Sequence, residues 1–261
     1  MLRKRIIFTL IYNKDFFMQS RNFRLQKVGD INWLEKHYQF QKISFSIDEL
    51  IVLNASRENK SIIQFVNAVS RLKHNVFIPI AAGGGIQTIE DAERLFNNGA
   101  DKIVLNSILI SHLDIVRELV NQYGSQSIIA SIDYKKIDGF NTAFISNGTT
   151  KISLSLIEYI KYVQNLNIGE IYLNSIDQDG TGFGYDFETI NDLKKDIKVP
   201  LIIAGGAGNE HHLLEGLKIH EISAVATANL FNFVGNSLPI ARKKIIQAGV
   251  NIAPWELSSG V

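Results

Sequence analysis

The chain repeats itself at half its length, and that repeat limits the possible folds more than any other feature. Ile78-Pro-Ile-Ala-Ala-Gly-Gly-Gly85, a helical pattern and Ile103-Val-Leu-Asn-Ser107 have an echo downstream. There Val199-Pro-Leu-Ile-Ile-Ala-Gly-Gly206 is followed by another helical pattern and Ala224-Val-Ala-Thr-Ala-Asn229. Pro79 and Pro200 stand 121 positions apart (200 − 79), as do Glu49 and Glu170 (170 − 49). Arg5–Ile11 likewise echoes Ser127–Asp133 at an offset of 122 (133 − 11). A unit that cannot bury its own apolar face is completed by its copy, so one half is expected to close the other.

Each half reads as short β-rich runs alternating with longer amphipathic segments. The strand candidates are Arg5–Leu10, Glu49–Leu53, Phe77–Ala81, Lys102–Leu105, Ile128–Ile132, Glu170–Asn174, Leu201–Ala204 and Ala224–Thr227. Helical patterns cover Ser61–Leu72, Thr88–Asn97, Ser111–Gln122, Ser155–Leu166, Phe187–Lys195 and Leu238–Ala248. Thr88 with Asp91 three residues on is a helix N-terminus signal, and Pro79 and Pro200 suit strand starts. Eight strands alternating with helices predict an α/β fold with a closed parallel sheet, a (β/α)8 TIM barrel with internal half-barrel duplication. The 261 residues match the roughly 250 typical of one such barrel, so a single domain over 1–261 is expected, with half-barrels of about 1–122 and 123–261. A doubly wound open sheet is the alternative.

Bulk properties narrow the function. A net charge of +1 gives no global field for nucleic acid or an acidic membrane, so neither is expected as a partner. The absence of cysteine removes disulfides, thiolate metal sites and a thiol nucleophile. Met1–Phe8 is basic then apolar, but Ile6–Ile11 is too short for a signal-peptide core and no small-residue cleavage site follows. No run of about 18 apolar residues predicts a membrane span, and a cytoplasmic location is expected. The six histidines, His37, His74, His112, His211, His212 and His220, lack ligand spacing on a shared helix face, so no metal and no cofactor is expected.

Candidate chemistry gathers at the carboxyl ends of the strands, where barrels place their sites. Gly84 and Gly85 after the third strand, with Asn106 and Ser107 after the fourth, can bring backbone and side-chain donors to an anion. Gly205 and Gly206 with Ala228 and Asn229 repeat the arrangement after the seventh and eighth strands. One Gly-Gly pair serves a tight turn equally well, but two copies, each beside a polar strand end, point to a ligand with a phosphate or similar anion at each end. In the loop after the sixth strand, Asp177 and Asp179 organise a turn, and Gly180 and Thr181 can help hold the second phosphate, with Asp179 counted among the phosphate-binding residues, although such glycine richness also fits a mobile loop. Asp133, ending the fifth strand, is the candidate general acid or base; ordering of a loop is the other use of such an aspartate. Its repeat mate is Ile11, and neither Thr9 nor Asp15 supplies a replacement acid. The loop Asn13–Asp30 is expected to form a lid, with Lys14, Arg21, Arg24 and Lys27 favouring an anionic substrate. At the opposite end, Arg5, Glu49, Lys102 and Glu170 start strands one, two, four and six. Pointing inward they form a ring of two positive and two negative charges, readable as a plug or as a gate for a small polar molecule.

Over essentially its whole length the chain resembles the HisF family, the cyclase subunit of imidazole glycerol phosphate synthase, a barrel of the ribulose-phosphate-binding type. The resemblance rests on Lys4-Arg-Ile-Ile7, Asp48-Glu-Leu50, Gly83-Gly-Gly-Ile86, Gly99-Ala-Asp-Lys102, Gly124-Ser-Gln126, Gly169-Glu170, Ser175-Ile-Asp177, Asp179-Gly-Thr181 and Ala204-Gly-Gly-Ala-Gly208. It implies a HisH-like glutaminase docked at the barrel floor, whose ammonia passes a charged gate matched by Arg5, Glu49, Lys102 and Glu170. The ammonia then attacks a bisphosphorylated ribulosyl-aminoimidazole intermediate, giving imidazole glycerol phosphate and aminoimidazole carboxamide ribotide. The family uses aspartates at the ends of strands one and five; here Asp133 matches the second and Ile11 departs from the first. Asn54 also stands where the family usually has an aspartate. The aliphatic residue at position 11 is similar to the WbuZ-like branch, in which the barrel passes ammonia to a sugar amidotransferase in surface-polysaccharide (lipopolysaccharide, O-antigen) synthesis. That branch is the expected role, and histidine biosynthesis is the alternative.

Overall fold

The structure, a computed structural model, describes residues 3–38, 43, 45–56, 62–229 and 237–254. In chain order its strands are β1 (Arg5–Asn13), β2 (Phe16–Arg21), β3 (Arg24–Gly29), β4 (Glu49–Asn54), β5 (Ile80–Gly83) and β6 (Lys102–Leu105). These are followed by β7 (Ile128–Ile137), β8 (Phe140–Ile145), β9 (Thr150–Ser155), β10 (Glu170–Ser175), β11 (Leu201–Ala204) and β12 (Ile222–Thr227). The helices are α1 (Ile31–Tyr38), α2 (Ile62–Asn75), α3 (Ile89–Asn97), α4 (Ile108–Ser111), α5 (Leu113–Tyr123), α6 (Leu156–Gln164), α7 (Phe187–Leu193), α8 (Glu210–Lys218) and α9 (Ser237–Gln247). Strands β1, β4, β5, β6, β7, β10, β11 and β12 pair in that order, all parallel. The ring closes where Arg5–Phe8 of β1 meets Ala224–Thr227 of β12. This is the (β/α)8 barrel expected from the alternation of strand and helix patterns.

Both faces of each stave are covered, which is why the strands read as nearly continuous apolar runs. In β1, Ile6, Phe8 and Leu10 pack outward against the helices, while Ile7 belongs to a separate cluster inside the barrel. That inner cluster joins Ile7, Ile51, Ala81, Val104, Ile129, Tyr172, Ile202, Ala204, Ala224 and Ala226. Period-two alternation therefore puts Arg5, Ile7, Thr9 and Ile11 on the inward face of β1, and Glu170, Tyr172 and Asn174 on that of β10. The helices carry their own start signals. Thr88 accepts a hydrogen bond from the Asp91 backbone N–H while the Asp91 carboxylate accepts one from Thr88 N–H, and Ser155 and Glu158 do the same for α6.

Several boundaries differ from expectation. The third stave begins at Ile80 rather than Phe77; Pro79 offers no N–H to the ladder, and Phe77 is 81% exposed. The helix expected over Ser111–Gln122 is α5, which starts at Leu113 after His112 separates it from the short α4, and the predicted helix start at Ser61 lies outside the described residues. The predicted lid over Asn13–Asp30 is an ordered antiparallel hairpin, β2–β3, continuing β1. A matching hairpin, β8–β9, continues β7. The last helix is tied back to the second stave by Arg242, which is 2% exposed. Its guanidinium donates to both oxygens of Asp48, at 2.7 and 3.0 Å, and to the carbonyls of Ser46 and Ala253.

Candidate functional site

A cavity of about 680 Å³ opens at the carboxyl ends of the staves. Asp133 lies in its wall, 7% exposed. Burial pushes its carboxyl up to about 7, against the opposing effect of two amide donors. Those donors are Asn174 Nδ2 on one oxygen at 3.1 Å and Asn106 Nδ2 on the other at 3.2 Å. A carboxyl poised near neutrality, fixed at both oxygens and facing a cavity, can take or give a proton with little driving force lost either way. Ile11 also lines the cavity, but Asp15 does not; its carboxylate accepts a hydrogen bond from the Tyr12 hydroxyl on the hairpin.

The two glycine turns face the same space. Gly84 and Gly85 have φ of 96° and 86°, and Gly205 and Gly206 have 89° and 105°, the left-handed region that side chains disfavour. A Cβ on Gly84 would collide with the Asn54 carbonyl, and one on Gly205 would sit 2.5 Å from the Ser175 carbonyl. Both turns thus lean on the end of the preceding stave in the same way. Ser107, Gly180, Ala228 and Asn229 join them in the lining. Asn106 is spent differently than a free anion donor would be: its amide NH₂ serves Asp133 and the Ser131 carbonyl, and its oxygen accepts from Ser107 and Ser146.

Two expectations about charge are corrected. The hairpin residues lining the cavity are Gln19, Ser20, Phe23 and Leu25, and none of Lys14, Arg21, Arg24 and Lys27 is among them; Lys27 lies over the Phe16 ring. Pairing of Ser20 with Leu25 and of Arg21 with Arg24 puts those two arginines on the hairpin face opposite the lining residues Ser20 and Leu25. Asp179, placed among the phosphate-binding residues, offers no donor: its carboxylate accepts from Ser20 Oγ and from Phe23 N–H, anchoring the hairpin. Burial pushes this carboxyl up, while those two bonds hold it back. Asp177 accepts from Lys136 N–H, tying the same loop to β7.

At the amino ends of the staves the four charges form a closed cycle. Arg5 reaches Glu49 at 2.7 Å and Glu170 at 2.5 Å, and Lys102 reaches Glu170 at 2.6 Å and Glu49 at 3.1 Å. Each cation bridges both acids, so the ring is neutral and each charge has two partners. Burial raises the Glu49 carboxyl in spite of Lys102 and Arg5. At Glu170 burial is outweighed by the hydrogen bonds and charges of Arg5 and Lys102, and the carboxyl is held below its ordinary range.

Residues 20–235 match the family described as histidine biosynthesis protein. The HisF subunit of imidazole glycerol phosphate synthase from Hydrogenobaculum sp. (strain Y04AAS1) is 34% identical over 256 residues, 97% of this chain and 99% of its own length. The chain belongs to the HisF family. A subunit named hisF2 of the same synthase, a provisional name, from Parasynechococcus marenigrum (strain WH8102), is 44% identical over 260 residues, covering 99% of this chain and 97% of its own. HisF from Chlorobium phaeobacteroides is 32% identical over 253 residues, 97% and 99% of the two chains. The chain is thus a member of a cyclase, lyase-type enzyme family.

Within this HisF barrel the structure gathers Asp133, both glycine turns, Asn106, Ser107, Gly180, Ala228 and Asn229 at one mouth, and Arg5, Glu49, Lys102 and Glu170 at the floor. Sequence reading passed over Asn174, Ser146, Asn147 and Gln19 in the lining, and the bond between Thr9 Oγ1 and the Tyr172 hydroxyl at 3.2 Å. Asn174 and Tyr172 share the inward parity of Glu170, a signal available in the sequence. Ser146 and Asn147 form the β8–β9 turn, with φ of 55° and 57°, and reach the mouth only because that hairpin folds over it. Among the described residues, no helix is long and apolar enough to cross a membrane, and no group of three His, Asp or Glu side chains is placed to hold a metal ion.

Proposed function

We propose that this chain is the ammonia-using barrel subunit of an imidazole glycerol phosphate synthase complex. A HisH-like glutaminase seated at the floor supplies ammonia, the Arg5–Glu49–Lys102–Glu170 ring acts as the gate, and ammonia crosses the apolar lumen. At the mouth it adds to the bisphosphorylated ribulosyl-aminoimidazole intermediate, releasing imidazole glycerol phosphate and aminoimidazole carboxamide ribotide. The two phosphates lie on the Gly84–Gly85 and Gly205–Gly206 turns, with Ser107, Gly180, Ala228 and Asn229 completing them, and Asp133 carries the proton. The observation that carries this reading is Asp133 itself, buried between two amides, raised to about 7 and facing the cavity between the paired turns. Histidine biosynthesis in the cytoplasm is the setting.

Ile11 favours a second reading. With an aliphatic side chain where the family has its other acid, the barrel supplies little turnover of its own and forwards ammonia to a sugar amidotransferase acting on an N-acetyl sugar of surface polysaccharide. Turnover of the ribulosyl-aminoimidazole intermediate by the purified chain at high ammonium separates the two. Measurable wild-type turnover supports the synthase reading. Absence of turnover, with recovery in Ile11→Asp, supports the amidation reading.

A further inference from the structure

The inward side chains divide the barrel interior into levels. The ion ring is lowest, and above it lie Ile7, Ile51, Val104 and Ile202 with several alanines. At the top of this apolar zone Tyr172 meets Thr9, hydroxyl to hydroxyl at 3.2 Å, with the residues 3% and 2% exposed. Strands β10 and β1 are not neighbours; β11 and β12 stand between them, so the Tyr172 side chain reaches across the lumen. Both residues also line the mouth cavity, which makes the pair its floor. Ser131 pairs in register with Tyr172, bringing a third hydroxyl to this level, and Asp133 lies one inward position higher.

Two hydroxyls hold two protons, and one bond between them uses one. Among the described residues neither oxygen has another partner. Leaving a buried O–H unspent is unfavourable, so the pair has capacity for one small polar guest. Burial raises Tyr172, the carboxylates of Asp133 and Asp179 push it the same way, and it stays a neutral phenol. An ammonium ion would lose its hydration there, and the carboxylates of Asp133 and Asp179 already accept from Asn106, Asn174, Ser20 and Phe23. Neutral ammonia can instead accept the free O–H and donate to the remaining lone pairs. We propose that Thr9 and Tyr172, with Ser131 beside them, form a binding station for neutral ammonia between the apolar lumen and the mouth. This rests on the reading that ammonia crosses the lumen.

The test is titration of the full chain, carrying tyrosine labelled with carbon-13 at Cζ, with ammonium chloride near neutrality and near the pKa of ammonium. Sodium chloride at matched pH is the control. The chain has eight tyrosines, and Tyr172→Phe assigns the signal. The Tyr172 resonance is expected to shift with the concentration of free ammonia, not of total ammonium, while buried Tyr134 and Tyr185 stay fixed. Thr9→Val, which preserves shape, should weaken the response about five- to tenfold. A Tyr172 signal that ignores free ammonia, or moves equally in sodium chloride, overturns the station and leaves water as its occupant. Glutamine-driven nitrogen transfer with the glutaminase partner tests the conduit separately. Transfer without a Tyr172 response removes only the station, and a response without transfer removes only the conduit.

Discussion

The two halves of the barrel share a backbone plan and part company at the rim. β1 runs into the hairpin β2–β3 as β7 runs into β8–β9, and Gly84 leans on Asn54 as Gly205 leans on Ser175. At the equivalent strand ends, however, the first half has Ile11 and the second Asp133. Side chains deeper in the lumen touch neighbours on every side, so changing one disturbs the others. A rim side chain faces the open cavity and can be exchanged without moving the frame. The difference also has a cost in stability: burial opposes ionisation of Asp133, and the two amides bonded to its oxygens offset only part of that.

The sharpest way to break this contrast is Asp133→Asn. It should lower ammonium-driven turnover about 10²–10⁴-fold, while Ile11→Val leaves the rate within about twofold; equal losses would erase the distinction between the halves. Next in size is the floor, where Arg5→Met leaves two buried acids sharing one cation. Unfolding in urea should show a loss of about 3–5 kcal/mol, and an unchanged midpoint would mean that the ring relaxes into water. The third is the pH dependence of stability. Below about pH 4 Asp133 is protonated folded or unfolded, and between about 4 and 7 only the folded chain keeps the proton. Stability should thus fall across that window as pH rises, by on the order of 2–4 kcal/mol from this residue, and Asp133→Asn should flatten that part of the curve. The smallest effect sharpens the comparison. With Asp133 the acid at one of the two equivalent strand ends and Ile11 at the other, turnover should show a pH limb near 7, and Ile11→Asp should add a second limb and raise the rate about tenfold.

The frame was legible because a parallel barrel writes both of its faces in apolar residues and repeats the pattern. Glycine turns were legible because Gly84 and Gly205 hold backbone conformations that few other residues adopt. The hairpins were not, since Gln19-Ser-Arg-Asn-Phe-Arg-Leu25 alternates weakly and its turn uses Asn22 and Phe23, both with positive φ, without a glycine. Asp138-Gly139 did carry a two-residue hairpin signal, and it went unread. The misplaced charges of Arg21 and Arg24 follow from the unmarked β2–β3 strands, because only a strand assignment puts them on the face opposite Ser20 and Leu25. Residues that meet across the lumen, as Thr9 and Tyr172 do, are 163 positions apart, and no local pattern announces them.

Closure between β1 and β12, with Arg242 clamping Asp48, bears on how the chain is made. The first strand emerges from the ribosome more than two hundred residues before its partner, and until then one of its edges has nothing to pair with. Contacts this distant in sequence slow folding, so the barrel can close only after β12 has been made. The early half needs a temporary cover for an apolar strand edge. Its own copy, arriving second, ends that exposure.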